Sequence, residues 1–174
     1  KKTNTKEKNN PFAVNLYVLG YNSDKHLSSL NRAVKENVKT YLNEFRVLTD
    51  GVNLMDGFII NIGLDFSIRV YRDYNKREVL TNCITALKEH FEIDKWTFNM
   101  PINIGEVEML IGNIEGVQSV VECEFKNLCG ESSGYSPNAY DVLAATKNKQ
   151  IYPSLDPSIF EVKYPDNDIK GRVV

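Results

Sequence analysis

Apolar residues that alternate with polar ones mark the clearest element of the chain. The alternating apolar positions are Ile60, Ile62, Leu64, Phe66, Ile68 and Val70. A period of two predicts a β-strand with one face in a core and the other toward water or a polar partner. The strand would run for about 14 residues, beyond the usual length of five or six, so we expect part of it to project past its own sheet.

Apolar residues at three- and four-residue spacing predict three helices. The first is an amphipathic helix of roughly five turns at 27–45. The second lies at 79–91, and Asn75 stands at its start in a capping pattern. Asn103 and Glu106 suggest a second cap, before a short third helix at 107–114. This helix would end at Gly116, because glycine favours the end of a helix.

Two further strands complete this part of the chain. One lies at 12–19, and the other runs from Val117 to Phe125 with Ser119, Val121 and Cys123 on the same face. Few strands and one-sided alternation are typical of an α+β fold. We therefore expect a small antiparallel or mixed sheet with helices on one face.

The composition predicts three segments. Residues 1–11 are polar and read as a linker, with the chain as a fragment of a longer protein. Residues 12–125 form the α+β domain. Residues 126–174 hold four of the six prolines but also many apolar side chains, which predicts an extended docking arm.

Four apolar side chains of the arm are candidate interface residues. They are Ile159, Phe160, Val162 and Tyr164. Since proline interrupts strands and helices, we expect the arm to lie on the surface of its own domain or of a neighbour. A chain cut after Phe125 should then keep its helical circular dichroism signal but fail to assemble.

Charge and composition exclude several classes of protein. Apolar residues are 42% and charged residues 25%, and the net charge is −2 with a pI near 5.8. A nucleic-acid-binding domain usually carries a basic excess, so we expect no nucleic acid partner. No run of 18 apolar residues exists, so we expect no membrane partner. Three cysteines without CxxC spacing indicate a reduced protein.

The motifs for catalysis are incomplete. Gly130-Glu131-Ser132-Ser133-Gly134 matches the G-x-S-x-G pattern of a nucleophile elbow, but no histidine follows it. His26 and His90 are predicted to be surface residues of helices, without zinc-ligand spacing to other residues. Asp65 stands without an evident acid–base partner. We expect no catalytic residue, no cofactor and no metal, and therefore no enzyme activity.

Two charged groups have ordinary explanations. A basic group, Arg69, Arg72, Lys76 and Arg77, is offset by neighbouring acidic residues and is typical of a solvated turn. The run Asp166-Asn167-Asp168 lacks the remaining ligands of a calcium loop.

Several short runs follow one another in the order found in one protein family. They are Phe45-Arg46-Val47-Leu48-Thr49-Asp50, Ile104-Gly105-Glu106-Val107 and Ile114-Glu115-Gly116-Val117. This order resembles the C-terminal part of the baseplate-J-like proteins of contractile phage tails. The closing residues, 151–165 and 168–172, look like the C-terminus of the baseplate wedge proteins of T4-like phages. The resemblance covers about 12–174.

The resemblance implies a structural role in the virion. Wedge proteins of this family self-associate as a homodimer or ring, bind other baseplate wedge proteins, and build a ring around the tail hub after assembly in the host cytoplasm. The family has no catalytic residues to carry over. Its large N-terminal domains have no counterpart in these 174 residues.

Two other interpretations remain open at the level of the sequence. One is a soluble α+β ligand-binding module for a peptide or a nucleotide, and the other is a degenerate hydrolase. A size measurement separates the first from an assembly protein, because a binding module can stay monomeric.

Overall fold

The structure, a computed structural model, describes residues 14–44 and 51–174, which fall into two compact units divided between Gly57 and Phe58. The described residues form an α+β fold, as predicted. The helices are α1 (Arg32–Glu44), α2 (Lys76–His90), α3 (Ile104–Gly112), α4 (Val142–Ala145) and α5 (Pro165–Asp168). The strands are β1 (Val14–Val18), β2 (Gly20–Tyr21), β3 (Leu27–Ser28), β4 (Val52–Asp56), β5 (Phe58–Val70), β6 (Ile102–Asn103), β7 (Val117–Asn127), β8 (Thr146–Lys147), β9 (Gln150–Ile151), β10 (Ser158–Glu161) and β11 (Ile169–Val173).

Some predictions fall outside these ranges. The linker at 1–11, the first two positions of the strand at 12–19, and the run at 45–50 lie outside the described residues. Within the described ranges, every helix is too short or too polar to cross a bilayer.

The first unit is small. β1 pairs with β4 in parallel, and β2 pairs with β3 as an antiparallel hairpin. The predicted helix at 27–45 begins only at Arg32, because Leu27 belongs to β3. Asn31 caps the helix, since its Oδ1 accepts a hydrogen bond from the Val34 N–H at 2.8 Å.

The second unit is organised around β5, which is 13 residues long. On one side β5 pairs with β7 in antiparallel register, and on its other side with β10 and β11 in parallel register. These partners together cover the whole length of β5. The expectation that part of the strand projects past its sheet is therefore wrong.

Both faces of β5 are largely buried. The apolar residues pack inward as predicted, but Asn61 and Ser67 on the polar face are each only 1% exposed. A Cβ at Gly63 would lie 3.1 Å from the Leu128 side chain and 3.2 Å from the Asp168 carbonyl oxygen. Later segments of the chain thus cover part of the face that the alternation assigned to water.

Helices α2 and α3 pack on the apolar side of this sheet. Val79, Cys83 and Leu87 are the buried residues of α2, and Val107 and Ile111 those of α3. The predicted caps are confirmed. The Asn75 side chain accepts from the Arg77 N–H at 3.0 Å, and the Asn103 side chain from the Glu106 N–H at 3.3 Å. A capping side chain bonds to an N–H group only two or three residues away, so the sequence alone indicates where these two helices begin.

The end of α3 and the strand after it differ from the prediction. The helix ends at Gly112, and Gly116, with φ of +92°, lies in the turn before β7. The β5–β7 register shifts between Ser67 and Ile68, where Glu122 and then Val120 are the partners, so Val121 is an extra residue. Val121 is consequently exposed instead of sharing the inward face with Phe125.

The predicted arm at 126–174 is an integral part of the second unit. β10 and β11 lie beside β5, and Phe160 and Ile169 belong to the core. The prolines do not prevent this pairing because Pro153 and Pro157 precede β10, and Pro165 begins α5 between the two strands. The prediction that this segment lies extended on a surface is wrong for both strands.

Candidate functional site

The four predicted interface residues lie mainly inside their own domain. Ile159, Phe160 and Val162 are buried, and Tyr164 is half-buried. The Phe160 ring meets the Tyr140 ring edge to face, with centroids 6.0 Å apart. Because these contacts are made within the chain, the side chains offer little surface to a partner.

A buried polar network centred on Asn61 joins β5 to the C-terminal segment. The Asn61 Nδ2 donates to Glu161 Oε2 at 2.8 Å, and the Asn61 Oδ1 accepts from the Ser136 N–H at 2.7 Å. The Asn61 carbonyl oxygen accepts from the Leu128 N–H and from Asn127 Nδ2, both at 2.9 Å. Buried polar groups require such partners, so this network explains why the alternation contains a buried asparagine.

A second buried carboxylate, that of Asp168, fixes the turn before β11. Its Oδ1 accepts from the Tyr135 hydroxyl at 2.6 Å, and its Oδ2 from the Tyr164 N–H at 2.8 Å. Burial, followed by the hydrogen bond to Asp168, raises the pKa of Tyr135 to about 12. The Tyr135 hydroxyl and the Tyr164 N–H thus join the loop after β7 and the residue before α5 to the same carboxylate. These contacts indicate a structural role for Asp168.

Removal of the Tyr135 hydroxyl should weaken the domain. We expect Tyr135→Phe to lower the free energy of unfolding by about 1.5–3 kcal/mol at neutral pH, because a buried carboxylate loses a donor. An unfolded tyrosine ionises near pH 10 and folded Tyr135 only at about 12, so the wild-type protein loses stability as pH rises through this window. The difference between variant and wild type should therefore shrink from about pH 10 to 12.

Urea denaturation of both proteins between pH 7 and 11.5 measures this difference. Tyr71→Phe, at an exposed tyrosine, is the matched control and should stay within about 0.5 kcal/mol of wild type. A stability difference for Tyr135→Phe that is independent of pH would contradict the assignment.

The residues considered for nucleophilic catalysis are not assembled into a catalytic group. Ser132 lies exposed in a 3₁₀ turn at Glu131–Ser133, with loop on both sides instead of a strand and a helix. Burial raises the pKa of the Cys83 thiol to about 11 and that of Cys123 to about 12. Neither thiol is therefore a thiolate nucleophile at neutral pH.

The two histidines occupy different settings from the predicted helix surfaces. His26 lies before β3 and outside a helix. His90 ends α2 and is half-buried, with its ring edge to face against Phe91 and Trp96. Burial lowers the pKa of His90. Among the described residues, no three histidine, cysteine or carboxylate side chains form a group that could hold a metal ion.

An open groove of charged side chains lies on the polar face of β7, β5 and β11. Its charged residues are Asp65, Glu122, Glu124, Lys126, Lys170 and Arg172. Lys126 pairs with Asp65 at 2.7 Å and with Glu124 at 3.4 Å, and Arg172 pairs with Glu122 at 2.9 Å. Since positive and negative charges are equal in number, this surface does not select an anionic or a cationic ligand by charge.

The predicted basic group lies around the turn between β5 and α2. Arg69 is an exposed residue near the end of β5, and Tyr71 and Tyr74 are exposed in the turn. The Tyr74 hydroxyl donates to Glu115 Oε1 at 3.1 Å. The Glu115 carboxylate adds a negative charge beside the basic group, which is typical of a solvated turn.

The most exposed large apolar side chain of the described residues is Leu155, with a relative exposure of 107%. It lies beside an open groove of about 340 Å³ lined by Phe58, Ile60, Pro137, Asn138, Ala139, Tyr140, Ser154 and Asp156. The sequence analysis did not single out this exposed leucine, whereas three of the four residues that it predicted for an interface, Ile159, Phe160 and Val162, are buried. The signal for Leu155 is its place between Ser154 and Asp156 and between two prolines, a pattern typical of a tight turn.

Comparison with known proteins adds no assignment. Neither a scan against models of protein families nor a search of curated protein sequences gives a match for this chain.

Proposed function

We propose that this chain is a structural component of a contractile phage tail baseplate. It would be the C-terminal part of a wedge protein similar to baseplate wedge protein 6 of T4-like phages, a member of the baseplate-J-like family. The observation that carries the proposal is the ordered resemblance of the runs at 104–107, 114–117 and 151–172. In this role the protein self-associates and joins wedges into a ring around the tail hub.

The fold supports the proposal by joining these three resembling runs in the second unit, while the run at 45–50 lies outside the described residues. The run at 104–107 begins α3, and the run at 114–117 leads into β7. The closing run contains β10 and β11, which pair with β5, the antiparallel partner of β7. Three distant parts of the sequence thus contribute to one core, as expected when a resemblance reflects a domain rather than isolated short matches.

The proposed partners and location follow from the resemblance. We propose as partners a second copy of this chain and other baseplate wedge proteins, without nucleic acid or membrane. The protein would be assembled in the host cytoplasm and reside in the tail baseplate of the virion, without enzymatic activity.

Immunogold labelling of phage particles that encode the chain tests the location. Antibodies against the purified chain should label the baseplate end of contractile tails in electron micrographs. Labelling confined to other parts of the virion, or its complete absence from virions with accessible baseplates, would contradict the proposal. Preabsorption of the antibody with the chain is the control.

Sedimentation tests self-association separately. At tens of micromolar, we expect a dimer or a larger species with an interface of at least about 1,000 Å². A strict monomer would instead favour the ligand-binding module, especially if a peptide or nucleotide raised its melting temperature.

A further inference from the structure

The outer edge of β1 presents backbone groups to solvent. The Val14 N–H and the Val18 carbonyl oxygen both bond to the residues that flank β4, at 2.9 and 3.3 Å. Successive residues of a strand direct their backbone groups to opposite sides, so the N–H and C=O groups of Asn15 and Tyr17 face away from β4. Among the described residues, no strand pairs with β1 on that side.

This edge lacks the features that prevent strands from pairing. The edge strand of the second unit, β7, carries Glu122, Glu124 and Lys126 and has a bulge at Val121. Charges and bulges of this kind block the approach of another strand. β1 has an unbroken register with β4 and contains neither a charged residue nor a proline. An edge of this composition is a template for a further strand.

The described part of the first unit is also incomplete as a fold. Parallel strands normally belong to larger sheets that are covered on both faces, and a sheet of two strands is marginal by itself. The helix between β1 and β4, α1, has no buried residue. Val14 and Leu16 of β1 remain 60% and 40% exposed, and Val34 of α1 remains 39% exposed.

Helix α1 lies on the same face of the strands as Leu16. Lys35 of α1 pairs with Asp56 of β4 at 2.6 Å, and Asp56 is in register with Val18. Val14, Leu16 and Val18 share one face of β1 because side chains of a strand alternate. The outer edge of β1 therefore has an apolar strip on the side that carries the helix.

We propose that β1 pairs with β1 of a second copy of this chain, antiparallel about a twofold axis at Leu16. The inference deepens the self-association in the proposed function and rests on it. In this register Asn15 lies opposite Tyr17 of the other copy, and each such pair exchanges two backbone hydrogen bonds. Leu16 meets Leu16, and Val14 meets Val18, so apolar side chains lie opposite one another on the helix face.

The two helices fit this arrangement. A crossover helix lies over the two strands that it joins, so α1 sits about 2.4 Å to the outer side of β1 when neighbouring strands are about 4.8 Å apart. The axes of α1 in the two copies would then be about 9.6 Å apart, within the 8–10 Å at which helices pack. The twofold axis makes these helices antiparallel.

The charges of α1 favour a second copy as the partner. Its first turn begins with Arg32 and contains no acidic residue, and its last turn ends with Glu44 and contains no basic residue. Both charges are unfavourable with the dipole of their own helix. An antiparallel second α1 places Glu44 of each copy near the N-terminal end of the other helix, where a negative charge is favourable.

Cysteine crosslinking of the full chain tests the register. In a Cys129→Ser background, we expect Leu16→Cys to form a covalent dimer with oxidised glutathione, because the two Cα atoms at the axis would be about 4.5 Å apart. Asn15→Cys is the control. Its two copies would be roughly 8 Å apart, which is too far for a disulfide, so it should stay uncrosslinked on a non-reducing gel. Equal crosslinking of both variants would overturn the register.

Sedimentation equilibrium tests the backbone pairing itself. Tyr17→Pro and Tyr17→Ala both remove the ring, but only proline removes the N–H that faces away from β4. We expect Tyr17→Pro to raise the dimer dissociation constant at least tenfold relative to Tyr17→Ala, because both copies lose a donor to the other. The melting temperatures of the two variants should agree, and if they differ, the crosslinking pair decides.

The outcomes distinguish the two proposals. Equal dissociation constants of folded Tyr17→Pro and Tyr17→Ala, or no covalent dimer of Leu16→Cys when the wild type dimerises, would overturn the pairing of β1 and leave self-association intact. A strictly monomeric wild type would overturn both this inference and the self-association in the proposed function.

Discussion

A chain that ends at Phe125 should lose the cooperative folding of its second unit. This truncation removes β10 and β11, which pair with β5 along one side, and leaves that side of the central strand without backbone partners. Unpaired buried N–H and C=O groups are costly, and the apolar core contributed by Phe160 and Ile169 is lost as well. We expect a broad, non-cooperative urea transition and a reduced helical circular dichroism signal.

A single substitution tests the same point without a deletion. Phe160 is 2% exposed, so Phe160→Ala should lower the free energy of unfolding by about 3–5 kcal/mol, a large part of the total for a domain. Leu155→Ala, at the fully exposed leucine of the same segment, is the matched control and should change the unfolding free energy by less than about 0.5 kcal/mol.

The pair of substitutions separates two roles for the C-terminal segment. If the segment were a surface arm, Phe160→Ala would leave the stability of the monomer unchanged and weaken self-association instead. A cooperative transition with wild-type midpoint for either Phe160→Ala or the truncated chain would contradict the placement of β10 and β11 in the core.

Substitution of Asn61 should have the next largest effect. Asn61→Ala removes the donor to the buried Glu161 carboxylate and the acceptor of the Ser136 N–H. We expect the free energy of unfolding to fall by about 2–4 kcal/mol, because each buried polar group that loses a partner costs about 1–3 kcal/mol. The loop at 128–136 should also become more sensitive to protease, because Asn61 is one of its attachments to β5.

Arg69→Ala is the control on the same strand. Arg69 is exposed and lies eight residues along β5 from Asn61, so its removal should leave both stability and protease sensitivity close to wild type. Equal effects of the two substitutions would show that Asn61 has no special role in attaching the loop.

Local features of the sequence determined several elements. Asn75 and Asn103 mark the starts of α2 and α3 because a capping side chain bonds to backbone N–H groups only two or three residues away. The alternation from Ile60 to Val70 identified β5, because side chains of any strand point to opposite faces in turn. The α+β class followed from these local periods.

Only the tertiary structure decided how β5 is covered. Its partners β10 and β11 are about one hundred residues away in sequence, and alternation carries no information about which strands will pair. The period alone predicts that Asn61 and Ser67 face solvent. Asn61 is instead enclosed by the loop at 128–136. Ser67 pairs in register with Arg172 on one neighbouring strand and Glu122 on the other, and the ion pair of these two residues covers it.

The same distinction between local and non-local information explains why three of the four predicted interface residues are buried. Composition identified an apolar C-terminal segment but could not separate Phe160, which is buried, from Leu155, which is exposed. Burial depends on which strand lies beside a residue, and this is a non-local property of the fold. The groove beside Leu155 likewise exists only because Pro137 to Tyr140 and the turn at 152–157 meet at the start of β5.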